Sequence, residues 1–198
     1  MSVALSTGAA DAPRRNLHSL YFDTSFGDLR KHGTILRVRK IRGAYVIGLN
    51  WAAAPREGPF SRGEVEVRVP TAEPEIAAFG AEIASELKRL TGGQPLERRF
   101  ETQIKRRLRA LDVGLAVVEV AFDEGFILAG ENQLPLTEVE LEQKSGKPSL
   151  LYDLAIRCAE SLPICLDPIS KAERGYLFAV GDRPMRDALT VSRRCNGR

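Results

Sequence analysis

Apolar and polar positions alternate with a period of two through much of the chain. In residues 34–42, TILRVRKIR, Leu36 and Val38 take one face of an extended segment and Arg37 and Arg39 the other, because successive strand side chains point to opposite sides. Residues 136–146, LTEVELEQKSG, repeat the pattern with the opposite charge. Glu138, Glu140 and Glu142 share one face, and Val139 and Leu141 the other. Residues 60–69 gather Arg62, Glu64, Glu66 and Arg68 on one side. Further strands are predicted over residues 17–23 and over 44–51, the latter entered by a turn at Gly43. The apolar run 115–122 reads as a strand closed by a hairpin turn at Asp123-Glu124-Gly125, with 126–129 returning. The most basic segment, residues 98–111, fits strand or helix equally well by pattern.

Helical spacing is confined to a few stretches. Ile76, Phe79, Ile83 and Leu87 lie three and four apart, predicting an amphipathic helix over residues 74–90 that covers a sheet and stops at Gly92-Gly93. A second helix over 150–162 sets Leu154, Cys158 and Leu162 in register, residues 170–176 suit one short helical piece, and 25–33 suit a turn or short helix. Residues 1–16 read as a flexible lead-in, 17–181 as one domain and 182–198 as a polar tail, with no internal repeat. The predicted fold class is α+β: an antiparallel sheet with helices packed outside.

Length and charge narrow the picture only modestly. The chain has 198 residues, enough to bury its own core, and its 29 Lys+Arg exceed its 26 Asp+Glu by three. So small an excess does not nominate nucleic acid, and the basic strands lack the interleaved aromatics on which single strands stack. The three cysteines, Cys158, Cys165 and Cys195, form no CxxC pair, which argues against a disulfide framework or a zinc site; Cys158 and Cys165 read as apolar filler. His18 and His32 have no metal or catalytic spacing, and Trp51 reads as core or rim. No apolar run approaches the roughly 20 residues of a membrane-crossing helix, and the start lacks a signal-peptide pattern, so a cytoplasmic address is expected.

The distribution of charge says more than its sum. Carboxylates side by side at strand spacing repel one another and are best tolerated opposite a hard cation or basic side chains. Arginines paired on one strand and glutamates paired on others predict a sheet closed into a barrel with a charged interior. Arginine forks suit phosphate oxygens, and a carboxylate row suits Mg2+ or Mn2+.

LYFDT, the LRVR around Arg37 and Arg39, SRGEVE, RRFETQIKRR, FDEG, TEVELE and SKAERGY follow one another between about residues 18 and 181. In that order they resemble the CYTH superfamily of triphosphate tunnel metalloenzymes, which includes inorganic triphosphatases, thiamine triphosphatases and class IV adenylate cyclases. The inorganic triphosphatase branch is the nearest in pattern; its members often carry a CHAD domain, which these 198 residues do not contain. The resemblance implies an eight-stranded antiparallel tunnel that binds a triphosphate compound or polyphosphate with Mg2+ or Mn2+. It implies phosphate ligands at Arg37, Arg39, Arg62, Arg106 and Lys171, with Glu64 as a further tunnel residue. Lys171 and Arg174 share a helical turn, so one of the two is left to cap or solvate it, and Lys171 is the expected ligand. The resemblance also implies metal ligands at Glu138 and Glu140, with Glu142 as a third, and a catalytic set of Glu138, Glu140 and Arg106. The implied activity is metal-dependent triphosphate hydrolysis. The alternatives are a non-catalytic phosphate, polyphosphate or nucleotide-binding module and a class IV-type adenylate cyclase.

Two departures from the family pattern stand out. The ExExK strand that opens such chains has no counterpart in residues 1–16, so a member begun late is expected, its open sheet edge covered by a homodimer or a donated strand. Asn50 stands where the family usually has lysine.

Overall fold

The computed structural model describes residues 14–52, 61–112, 115–162, 165–167, 169–181 and 187–195, with backbone alone at 52, 61–62, 165–166 and 187–195. The strands are β1 (Arg14–Asp23), β2 (Thr34–Ile41), β3 (Ala44–Ala52), β4 (Ser61–Val69), β5 (Glu97–Asp112), β6 (Val117–Ala129), β7 (Asn132–Ser145), β8 (Cys165–Leu166) and β9 (Asp187–Cys195). The helices are α1 (Asp28–Lys31), α2 (Ala81–Thr91), α3 (Pro148–Ser161) and α4 (Lys171–Ala179). Seven strands form an antiparallel sheet in the order β4-β3-β2-β1-β5-β6-β7, and with the helices they make an α+β fold.

These seven strands are the antiparallel sheet expected of a family member without its first strand, but by themselves they do not close into the expected barrel. Between β7 and β4 runs β9, parallel to both, with residues 187–193 beside 137–143 and 193–195 beside 61–63. Residues 187–195, expected as part of a polar tail, are therefore a strand, and residues 14–16, expected in the lead-in, belong to β1.

The segment left open between strand and helix is β5. Its register with β1 sets Thr102 opposite Ser19 and Ile104 opposite Leu17, so Phe100, Thr102, Ile104 and Arg106 share the inner face while Glu101, Gln103, Lys105 and Arg107 lie on the outer one. β6 is one continuous strand, and the expected hairpin at Asp123-Glu124-Gly125 does not form. Those charges meet partners across the ladder, Asp123 opposite Arg106 and Glu124 opposite Lys105. Gly125 serves close approach and not a turn, since a Cβ there would collide with the Gln103 carbonyl. The reversal comes at Gly130, with φ 58°. The β2–β3 hairpin turns where expected, at Arg42-Gly43, both at positive φ.

Three apolar clusters fix the faces. Outward residues of β1–β4 (Phe22, Leu36, Val38, Ile47, Leu49, Val69) pack against Leu29 of α1 and Leu87 of α2. Burial of each such side chain is worth about 1.5–3 kcal/mol. The helix expected over 74–90 is broken at Gly80 into a 3-10 turn, Ile76–Phe79, and α2. Outward Val118, Val120 and Leu141 lie under Leu151 and Ala155 of α3, whose stripe is one residue off the expected one. Leu154 and Cys158 are half-buried at its flank and Leu162 is exposed. The third cluster occupies the inner face, where Ala172 and Tyr176 of α4 meet Tyr21, Phe100, Ile104, Ile127, Leu134 and Leu136. Gly175 lets α4 sit this close, because a Cβ would enter the Phe100 ring. That contact places the start of α4 over the charged part of the inner face.

Candidate functional site

Antiparallel register aligns the acidic half of the site. Arg106, Asp123 and Glu138 sit in one cross-strand row of β5, β6 and β7, and Glu140 lies two residues along β7 on the same face. Arg106 donates to both Asp123 oxygens, from Nε at 2.7 Å and Nη2 at 2.6 Å, and through Nη2 also to Glu140 Oε2. α4 brings two further cations. Ser170 caps it by accepting from the Glu173 amide at 3.2 Å, which sets Lys171 at the first helical position facing the sheet. Lys171 Nζ meets Asp123 Oδ2, Glu138 Oε1 at 2.7 Å and Glu140 Oε1 at 3.3 Å. One turn on, fully buried Arg174 pairs with Glu138 Oε2 and lies 3.8 Å from Asp167.

Around the triad, three carboxylates thus face three cations. Asp123, Glu138 and Glu140 each present an oxygen within 4.8 Å of the others, a donor set of hard oxygens that suits a divalent cation. Burial pushes the Glu140 carboxyl up, but Lys171 and Arg106 outweigh it and hold its pKa down to about 2. Burial also works against the Arg106 charge, and Glu140 and Asp123 more than offset it, so its pKa lies above the ordinary arginine value.

The basic half lies on β2–β4 across the same inner face. Arg37 Nη2 donates to Glu64 at 2.8 Å and Glu66 at 2.9 Å, with Gly48 between them leaving room for the guanidinium. Arg39 Nε donates to Ser19 Oγ at 2.8 Å, and among the described residues Arg39 makes no ion pair. Burial, aided by neighbouring Arg37, lowers its pKa to about 10. Arg39 is thus a half-buried guanidinium braced by one hydroxyl.

Of the residues singled out from sequence, Glu138, Glu140, Arg106 and Lys171 converge on one point, and Arg37, Arg39 and Glu64 on the other half of the face. Glu142 points the same way but pairs with Lys144 at 2.9 Å, outside the triad. The Arg62 side chain lies outside the described residues, as do those of Cys165 and Cys195. Asn50 is in register with Glu64. Sequence reading missed Asp123, hidden by the false hairpin, although its cross-strand relation to Arg106 follows once β5 and β6 are strands. It also left Arg174 to capping or solvent, whereas the side chain is buried against Glu138. His18 and His32 are exposed, and Trp51 is a rim residue at 39% exposure.

The mostly antiparallel sheet thus carries arginines and a carboxylate triad together on its inner face. The CYTH domain profile matches residues 2–176, and the chain belongs to the CYTH domain family. It is 38% identical over 79 residues to the inorganic triphosphatase of Haemophilus influenzae; the match covers 40% of this chain and 22% of that protein, about a fifth of the relative's length. The fold is similar to that of a Bacillus halodurans adenylate cyclase candidate, bh2851, at TM-score 0.51 and 12% identity, covering 81% of this chain and 82% of that one. It is equally similar to HpAC1 from Hippeastrum, an adenylyl cyclase homologue described as having a dominant triphosphatase activity. That match has TM-score 0.51 and 17% identity, and covers 87% of this chain and 85% of that one. Among the described residues no helix is long and apolar enough to cross a membrane.

Proposed function

We propose that the inner face hydrolyses inorganic triphosphate, or another triphosphate-bearing compound, with the help of Mg2+ or Mn2+ in the cytoplasm. The observation that carries this reading is the Asp123–Glu138–Glu140 triad set directly against Arg106 on the same face as Arg37 and Arg39. The relatives' activities agree with it. The triad fits a divalent cation by its donor chemistry, and a cationic group, the Lys171 ammonium, already lodges against all three carboxylates. A cation held there would neutralise phosphate charge and polarise the phosphoryl group as a Lewis acid.

The chain's own groups have separable tasks. Arg39 is free of carboxylate partners among the described residues and takes phosphate oxygens through its planar fork, while Ser19 fixes the direction of that fork. Arg37 is oriented by Glu64 and Glu66 and adds a second guanidinium beside it. Arg106 keeps its charge at any working pH and stabilises negative charge next to the triad. Glu140, with its pKa near 2, stays ionised throughout the physiological range and therefore serves as a ligand and not as a proton donor.

A second reading is a binding module without turnover. It is favoured by the internal neutralisation of the triad by Arg106, Lys171 and Arg174, and by Asn50 in place of a cation. Phosphate release from inorganic triphosphate, with Mg2+ or Mn2+ and with a chelator, separates the two. Metal-dependent release supports hydrolysis. Triphosphate binding without release supports the module, and cyclic nucleotide formed from ATP would replace both with a cyclase.

A further inference from the structure

The six charges of the acidic half are not equivalent. Arg106 grips Asp123 and Glu140 from the strand side, and Arg174, buried in α4, takes the outer oxygen of Glu138. The remaining oxygens, Glu138 Oε1 and Glu140 Oε1, together with Asp123 Oδ2, converge on Lys171 Nζ alone or share it with Arg106. Both Glu138 oxygens are buried, and the cations that meet them are Lys171 and Arg174. Lys171 reaches the triad from the first residue of α4 on a flexible stem, whereas Arg106 is fixed by β5 and by two bonds to Asp123.

Resting on the metal-binding part of the proposed function, we propose that Lys171 is an exchangeable internal counter-ion. A divalent cation and the Lys171 ammonium compete for the same three carboxylate oxygens, and the arginines stay in place while the exchange occurs. Without a metal, Lys171 offsets the repulsion of the triad. When the metal enters, the displaced ammonium is an uncompensated cation on the inner face, and an arriving phosphate anion satisfies it. Metal alone therefore binds weakly, and metal and anion favour one another's binding.

The probe is Mn2+ alone, titrated into the protein in phosphate-free and sulfate-free buffer and followed by the spin-resonance signal of free Mn2+. Lys171→Met should bind Mn2+ at least about tenfold more tightly than the unaltered chain, the scale of one close ionic competitor removed. Equal or weaker binding by Lys171→Met overturns the proposal. Absence of Mn2+ binding in both overturns it together with the metal-dependent reading, which keeps the two failures apart. A second measurement needs no variant. Brief acetylation of the unaltered chain, read by mass spectrometry, should modify Lys171 faster with Mn2+ present while exposed Lys88 is unchanged. Bound Mn2+ that leaves Lys171 as protected as before contradicts the exchange.

Discussion

Replacing Asp123 with asparagine removes one negative charge from a neutral, buried cluster and changes almost nothing in volume. The Asp123 side chain is fully buried and accepts from Arg106 at 2.7 Å and 2.6 Å as well as from Lys171. Removing one partner of a buried ion pair typically costs 3–5 kcal/mol, because the other charge is left uncompensated. Here Glu138 and Glu140 remain beside the two cations, and the amide keeps one acceptor oxygen, so the expected cost is at the low end, about 3 kcal/mol. For a domain of this size each kcal/mol moves the melting temperature by about 2–4 °C, which gives a fall of roughly 6–12 °C. The control is the next residue. Glu124 points outward, is 60% exposed and lies 3.5 Å from Arg107, so Glu124→Gln should change stability by less than about 0.5 kcal/mol. Urea unfolding of both variants with unchanged m-values gives the comparison. Equal costs at 123 and 124 would refute both the inward placement of Asp123 and the continuity of β6.

Other substitutions probe the remaining parts of the site. Arg39→Ala should leave stability unchanged or raised, since a half-buried cation braced only by Ser19 is lost, while triphosphate affinity measured by calorimetry falls about tenfold or more, consistent with loss of a charge-assisted contact. Gly175→Ala should destabilise by about 1–3 kcal/mol in urea unfolding, because the new methyl enters the Phe100 ring and lifts α4, and Mn2+ and triphosphate binding should weaken with it. Glu140 has a folded pKa of about 2, below its ordinary 4.5, so its contribution to stability is complete above pH 4.5 and is lost as the pH falls towards 2. Acid unfolding of Glu140→Gln should accordingly show a shallower loss of stability through that window than the unaltered chain.

The alternating strands were legible because each buries one face under helices and keeps charge on the other. Leu36 and Val38 against Arg37 and Arg39 could be sorted by spacing alone, as could Val139 and Leu141 against Glu138 and Glu140. Sequence was misleading where a turn-forming composition served another purpose. Asp123-Glu124-Gly125 has the residues of a hairpin, yet two of them answer charges on β5 and the third admits its backbone. Arg174 carried no signal, because one helical turn separates it from Lys171 and only the depth at which α4 packs decides which cation is buried. The course of β9 was illegible for a similar reason. Its parallel pairing with β7 and β4 is a long-range choice that no local pattern in DALTVSRRC announces.

In the proposed function the Asp123–Glu138–Glu140 triad holds the metal on which triphosphate turnover depends. That role is tested most directly by phosphate release from inorganic triphosphate with Mn2+, comparing the unaltered chain with the Glu138→Gln, Glu140→Gln double variant. Circular dichroism of both proteins checks that the variant is folded. Chelator-sensitive release by the unaltered chain is expected, with a loss of at least about 100-fold in the folded variant, the effect of removing ligands and not their supports. Undiminished release by the double variant would contradict that role.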